Sequence, residues 1–170
     1  GGITPDIVVK ADSLPRIIYY LTQSEQLFDY CVEYRIKHAS IGEPEKFHLT
    51  NEEYEEFCNY MQEKGFTYDR QSLHYLEVLK KVARYEGYEQ DAKAELDALE
   101  KKLTHDVVTD LHRWENLVRQ AVEAAIVANY YYNAGSERYA LQYDKQLKEA
   151  IRMLQNKKEM HKRLTGEPEA

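Results

Sequence analysis

The sequence predicts an all-α protein, a multi-helix bundle with one or two long helices, preceded by a short N-terminal strand. Apolar residues recur at helical spacing over most of the 170 residues, and helix-start and helix-end signals separate these runs. Only Ile7, Val8 and Val9, three β-branched residues after Pro5, are typical of a strand. We therefore expect a terminal strand and linker at 1–12, a helical domain at 13–164 and a disordered tail at 165–170.

The first helical elements have clear boundaries. Ser13 lies just before Pro15, which predicts a first helix with a serine cap and a proline in its first turn. A second helix is expected from about Ser24 to His38, followed by a loop over 39–46. The residues expected to pack from these two helices are Ile17, Ile18, Leu21, Leu27, Phe28, Cys31 and Tyr34.

A capping box predicts the start of the third helix. Thr50 and Glu53 have the spacing at which each side chain accepts a hydrogen bond from the other residue's backbone N–H. This helix should end at Gly65, since glycine readily adopts the left-handed conformation of a helix end. A fourth helix is expected from about Asp69 to Gly87.

Neither glycine nor proline occurs between Gly87 and Gly135, and a heptad-like seam runs through this stretch. Its members are Ala92, Leu96, Leu99, Leu103, Val107, Leu111, Trp114, Val118, Ala121 and Ala125. The interval from Leu103 to Val107 breaks the phase, so either one bent helix passes through it or residues 104–106 form a turn between two antiparallel helices. The absence of a helix breaker favours the continuous helix.

Tyrosine is abundant, with 15 tyrosines against 4 phenylalanines. Five of them fall close together near the start of a last helix, which we expect from about Ser136 to His161. Because tyrosine combines a large apolar ring with a hydroxyl that needs a partner, it is common at interfaces. The candidate interaction surface therefore consists of Tyr130, Tyr131, Tyr132, Tyr139 and Tyr143.

Composition excludes several classes of function. A net charge of -7 and a pI near 5.4 argue against nucleic acid as a partner, which needs clustered Lys and Arg. No apolar run approaches the roughly 20 residues of a membrane-spanning helix, and the mean hydropathy is -0.73. Cys31 and Cys58 are too few for a disulfide framework and are expected to be buried apolar residues; whether they pair is left open.

A search for catalytic chemistry finds no complete active site. No serine lies in a nucleophile elbow, and Gly1 and Gly2 precede a strand rather than a helix N-terminus that could hold phosphate. We therefore predict no catalytic, cofactor-binding or metal-binding residue. One metal hypothesis is kept as an alternative, a helical metalloenzyme built on His105 and His112, although a third ligand at compatible spacing is missing.

The first nine residues, Gly-Gly-Ile-Thr-Pro-Asp-Ile-Val-Val, resemble the segment that closes the catalytic core of carboxyl-terminal processing (tail-specific) serine peptidases. The remainder resembles the helical extension that follows this core in Bacteroidetes-type members. That similarity lies in Phe28-Asp29-Tyr30, in Glu33-Tyr34-Arg35, in the helix within 47–65, and in Tyr130-Tyr131-Tyr132 leading to Gly135, Tyr139, Asp144, Ala150 and Ile151.

The resemblance implies a function that is carried out largely outside this chain. Members of the family use a serine nucleophile with a lysine general base, usually beside a PDZ domain, and neither the Ser-x-Ser segment nor the lysine has a counterpart here. It implies a non-catalytic domain that shapes substrate access, docks on the core or mediates assembly. The implied partners are the upstream peptidase core of the same polypeptide and its protein substrates, and the implied location is the periplasm or cell envelope.

An alternative from another class is a free-standing helical adaptor that binds a partner protein through its tyrosine-rich end or its heptad seam. Alanines in the seam favour packing of helices within one chain, which predicts a monomer. On the peptidase hypothesis, residues 1–9 lack the sheet they belong to and should be mobile or make improvised contacts.

Overall fold

The computed structural model describes Pro5, residues 7–10 and residues 13–165, and within these residues all regular structure is helical. The helices are α1 (Arg16–Thr22), α2 (Glu25–Lys37), α3 (Asn51–Glu63), α4 (Gln71–Glu86), α5 (Lys93–Leu103), α6 (Val107–Arg113), α7 (Glu115–Leu141), α8 (Lys145–Gln155) and α9 (Lys157–Thr165). A short 3₁₀ helix, Pro44–Lys46, lies between α2 and α3. The predicted all-α fold is confirmed, and α7, with 27 residues, is a long helix.

The predicted N-terminal strand is not formed by the residues that the structure describes there. Residues 7–10 have no strand pairing, because no described segment offers the neighbouring strand that their backbone groups would need. The rest of that prediction falls on residues 1–4 and 6, outside the described residues. Of the predicted disordered tail, Thr165 instead belongs to α9; the rest of that prediction, residues 166–170, lies outside the described residues.

The predicted caps of α2 and α3 are confirmed. The Ser24 side chain accepts a hydrogen bond from the backbone N–H of Leu27 at 3.2 Å, and Thr50 and Glu53 form both bonds of the capping box. Burial raises the pKa of the Glu53 carboxyl, but hydrogen bonds from the Tyr34 hydroxyl and from Thr50 outweigh it, so the pKa lies below its usual range. The cap predicted for α1 is wrong: the helix begins at Arg16, after the extended Pro15.

The stretch between Gly87 and Gly135 is not one helix, so the preference for a continuous helix is wrong. Helix α5 ends at Leu103, and α6 begins after Asp106, whose carboxylate accepts a hydrogen bond from the Thr109 N–H at 2.7 Å. The break falls at the phase slip of the seam. A side-chain cap thus starts a new helix where the sequence holds neither glycine nor proline.

The C-terminal region also divides differently from the prediction. Helix α7 runs through Gly135 instead of ending there, with a kink at Tyr132, which has φ 56° and ψ -155°. Helix α8 begins after Asp144, whose carboxylate accepts hydrogen bonds from two backbone N–H groups of its first turn, and α8 and α9 are separated at Asn156. The predicted single helix from Ser136 to His161 is therefore parts of three helices.

The core is one apolar cluster around α7. Helix α7 packs against α1, α2 and the 3₁₀ helix, and α3 packs against α2 and α6. The largest fully buried side chains are Tyr54, Tyr139, Phe57, Ile17, Leu21, Met61, Leu111, Ile126, Val118, Val122, Val127 and Cys31. Helices α5, α8 and α9 contribute no buried residue. Two helical hairpins, α4–α5 and α8–α9, therefore extend from a compact centre.

Candidate interaction surfaces

Glu123 organises the inner part of the tyrosine-rich region. Its carboxylate is 2% exposed, and it accepts hydrogen bonds from the Tyr139 hydroxyl at 2.6 Å, the Leu49 backbone N–H at 2.9 Å and, at 3.1 Å, from Nδ1 of His48. Burial, followed by the hydrogen bond to Glu123, raises the pKa of the Tyr139 phenol well above its usual range. Since Tyr139 lies beyond the kink of α7, this carboxylate fastens the last part of the helix to the core.

The five candidate tyrosines do not share one exposed face. Tyr139 is buried, and Tyr143 is half-buried beside it. Tyr130 and Tyr131 donate hydrogen bonds to the backbone carbonyls of the loop before the 3₁₀ helix, at His38 and Gly42. The side chain of Tyr132 is exposed at the kink. The structure therefore gives Tyr139, Tyr130 and Tyr131 internal contacts and leaves Tyr132 the most accessible of the five.

A second buried carboxylate joins the loop before α4 to α6. Asp110 accepts hydrogen bonds from Arg70 at 2.7 Å and from the Tyr68 hydroxyl at 3.0 Å, and His105 lies 3.8 Å away. Arg70 also donates to the His105 carbonyl at 2.7 Å. A cleft of about 680 Å³ opens beside this network, lined by residues 65–70 and by His74. Its lining mixes cationic, anionic and aromatic groups.

Apolar side chains are exposed on one face of α4. They follow helical spacing along α4, and an ion pair between Lys80 and Glu100 at 2.8 Å joins this helix to α5. The exposed residues are Tyr75, Val78, Leu79, Val82 and Tyr85. We call this surface the α4 face.

A second exposed apolar surface lies on the α8–α9 hairpin. It is a groove of about 770 Å³ between the two helices and the described N-terminal residues Pro5 and 7–9. The apolar side chains that line it include Val8, Ala150, Met153, Leu154, Met160 and Leu164. We call this surface the terminal groove. Pro5 and residues 7–9 therefore lie beside α8 and α9, around one groove.

The residues considered for metal chemistry lie apart. His112 is 3.4 Å from Glu55 of α3, whereas His105 lies against Asp110. Among the described residues, no three His, Cys, Asp or Glu side chains converge in a way that could hold a metal ion. Cys31 and Cys58 are both free and buried, and burial raises the pKa of each thiol to about 12. None of the described helices combines the length and the apolar composition needed to cross a membrane.

Comparison with protein families decides the relationship. The model of a family described as "Probable PDZ-protease, C-terminal helical domain" matches residues 17–154, which is more than half of the chain. The chain belongs to this family. No curated protein and no solved structure matches it significantly. The matched range of the PDZ-protease helical domain begins in α1 and ends in α8, so it includes the core and the α4 face, whereas Pro5, residues 7–10 and α9 lie outside it.

The family match confirms that this chain is a C-terminal helical region of a protease, as the resemblance implied. Sequence reasoning missed the two buried carboxylates of the PDZ-protease helical domain, Glu123 and Asp110. A signal was available for Glu123, which is the single acidic residue in the otherwise apolar run 121–128. Asp110 carried no such signal, because it follows Thr109 and lies one turn after Asp106. An isolated carboxylate on an apolar helix face indicates a partnered, buried group.

Proposed function

We propose that this chain is the non-catalytic C-terminal helical domain of a carboxyl-terminal processing serine peptidase. In this proposal, proteolysis by a serine nucleophile and a lysine base takes place in the protease part of the same polypeptide. The observation that carries the proposal is the family match over residues 17–154. The resemblance of residues 1–9 to the segment that closes the catalytic core of these peptidases adds to it. The same resemblance supports a location in the periplasm or cell envelope.

Among substrate access, docking on the core and assembly, the described surfaces favour docking. Two hairpins present apolar side chains to solvent, on the α4 face and in the terminal groove, while the centre of the domain is fully packed. Exposed apolar surfaces of this kind mark protein contacts. The tyrosine surface remains part of the proposal, with Tyr132 as its most accessible residue.

The test compares this chain with the complete polypeptide that contains it. We expect the complete polypeptide to cleave a peptide with a free C-terminal carboxylate, and to lose activity when its nucleophilic serine is replaced by alanine. The chain 1–170 alone should show no hydrolysis. A peptide with an amidated C-terminus is the matched control, because tail recognition requires the carboxylate. Hydrolysis by the isolated chain, or none by the complete polypeptide, would overturn the proposal.

The α4 face supports the alternative of a helical adaptor, since amphipathic helices of partner proteins bind to such surfaces. The coding sequence upstream of Gly1 discriminates the two. Several hundred codons that include a Ser-x-Ser segment and a lysine support the peptidase, and a nearby start codon supports the adaptor. Sedimentation of the purified chain at several concentrations tests the predicted monomer.

A further inference from the structure

We infer that the terminal groove is the surface through which this domain docks on the protease part of its own polypeptide. This inference rests on the proposed function and names the surface and the partner. Three observations carry it: α8 is amphipathic but buries nothing, the hairpin holds its apolar side in a fixed orientation, and the chain leading into the domain runs along the groove.

Helix α8 has the pattern of a helix that packs against something. Leu147, Ala150, Ile151 and Leu154 share one face at helical spacing, and the charged residues Lys148, Glu149 and Arg152 lie between them in sequence. A surface helix with such a stripe normally buries it. Yet Ile151 is 44% exposed, and Leu154 is 65% exposed. The core of the domain therefore leaves the apolar side of this helix largely uncovered.

The hairpin is held together on its polar side. The guanidinium of Arg152 binds Glu149 in its own helix at 2.7 Å and Glu159 of α9 at 3.1 Å. This ion-pair bridge sets α9 beside α8, so that Met160 and Leu164 line the same groove as Leu154. Leu164 is 77% exposed. Two helices thus add their apolar side chains to a single surface, with Gln146, Glu149 and Arg163 also in its lining, as in a protein interface with an apolar centre and polar groups around it.

The path of the chain indicates the occupant. Pro5 and residues 7–9 line the groove, and they precede the matched domain, which begins at residue 17. Because the family is a C-terminal domain, these four residues lie on the side of the chain that leads to the protease. The protease part is therefore tethered beside it, and tethering gives an effective concentration on the order of millimolar, which a free partner rarely reaches.

The N-terminal residues also indicate which part of the protease contacts the groove. Ile7, Val8 and Val9 resemble the last strand of the protease sheet, and Val8, which lines the groove, is 72% exposed. A strand edge that is part of the protease sheet would bring that sheet against α8 and α9. The α4 face is different, because none of its residues lines this groove with Pro5 and residues 7–9. It serves here as the control surface.

Hydrogen exchange tests the inference, with the complete polypeptide and the chain 1–170 measured side by side. We expect the backbone amides of α8 to exchange roughly tenfold or more slowly in the complete polypeptide, because docking suppresses local opening of the hairpin. Leu154→Glu in the complete polypeptide should remove this slowing. Leu79→Glu on the α4 face is the matched control, since Leu79 is 50% exposed and the same charge is introduced; it should leave the slowing intact.

Circular dichroism of both variants in the chain 1–170 verifies that they fold, and we expect unchanged thermal midpoints because both leucines are exposed. Equal exchange of α8 in the two proteins would overturn the inference, as would loss of the slowing in Leu79→Glu alone. A concentration-dependent dimer of the chain 1–170 that Leu154→Glu dissociates would also overturn it, because a second copy would then occupy the groove. Peptide hydrolysis by the complete polypeptide is measured separately. If the enzyme is active but the α8 amides exchange no more slowly than in the chain 1–170, the docking inference is refuted and the proposed function stands.

Discussion

Among replacements by alanine of the acidic residues of α7, Glu123→Ala should destabilise the domain most. The Glu123 carboxylate is 2% exposed and is the common acceptor for Leu49, Tyr139 and His48. These three groups come from the segment before α3 and from α7 beyond its kink. The substitution therefore acts on the attachment of two segments to the core at once.

The expected magnitude follows from the donors that lose their acceptor. The Leu49 N–H and the Tyr139 hydroxyl are buried, and a buried donor without a partner costs about 1–3 kcal/mol. His48, whose side chain is 55% exposed, can bind water instead. Two effects offset part of this cost: the Tyr139 hydroxyl keeps its contact of 3.3 Å with the Tyr143 hydroxyl, and the variant no longer buries a carboxylate. We therefore expect the free energy of unfolding to fall by about 2–4 kcal/mol in total.

Urea unfolding of the chain 1–170, followed by circular dichroism, measures this loss. Glu123→Gln keeps the shape and one acceptor oxygen and should cost about 1–2 kcal/mol. Glu137→Ala is the matched control, because Glu137 is exposed on the same helix, and it should change the free energy of unfolding by less than about 0.5 kcal/mol. If Glu123→Ala differed from Glu137→Ala by less than about 1 kcal/mol, the reasoning about the buried donors would be refuted.

Three further predictions concern other residues. Because the pKa values of the Cys31 and Cys58 thiols are about 12, neither should react with a disulfide reagent at pH 8 until urea unfolds the chain; rapid labelling of the native protein would contradict this. The pKa of Glu53 is lowered on folding, so its contribution to stability is present at neutral pH and disappears as the pH falls below the ordinary carboxyl pKa of 4.5 and through the folded pKa. Glu53→Gln should thus be less stable than the wild type at pH 7 and approach it at pH 3, and a constant difference in unfolding free energy would count against this. Gly135→Ala places a Cβ within clashing distance of the Tyr131 Cβ and should cost about 1–3 kcal/mol in urea unfolding; an unchanged midpoint would show that the kink can adjust.

The sequence predicted the elements whose boundaries depend on local chemistry. The capping box at Thr50 and the left-handed ends at Gly65 and Gly87 occur as expected, because these signals act within one turn of the helix. The predictions failed where distant contacts decide. Nothing within one turn of Tyr132 predicts its positive φ. Glycine often marks a helix end, but Gly135 lies inside α7, where the neighbouring turn leaves no room for a side chain.

The same distinction explains the outcome for the candidate surfaces. An aromatic cluster in the sequence does not reveal which of its rings find hydrogen-bond partners. The hydroxyls of Tyr130 and Tyr131 bind carbonyls about ninety residues away in sequence. The Tyr139 hydroxyl binds the Glu123 carboxylate, 16 residues earlier in α7. By contrast, the apolar stripe in the sequence pattern of α8 is present in the structure and partly uncovered, since Ile151 and Leu154 are exposed.

A domain selected only for its own stability would be expected to bury that stripe or to replace it with polar residues, since exposed apolar surface favours aggregation and stabilises nothing within the domain. The compact centre around α7 does not need α8 or α9, which contribute no buried side chain to it. The apolar face of the hairpin is therefore better explained by a contact outside the domain. Its position beside Pro5 and residues 7–9, which lead toward the protease in a C-terminal domain, makes the protease part the nearest surface for that contact.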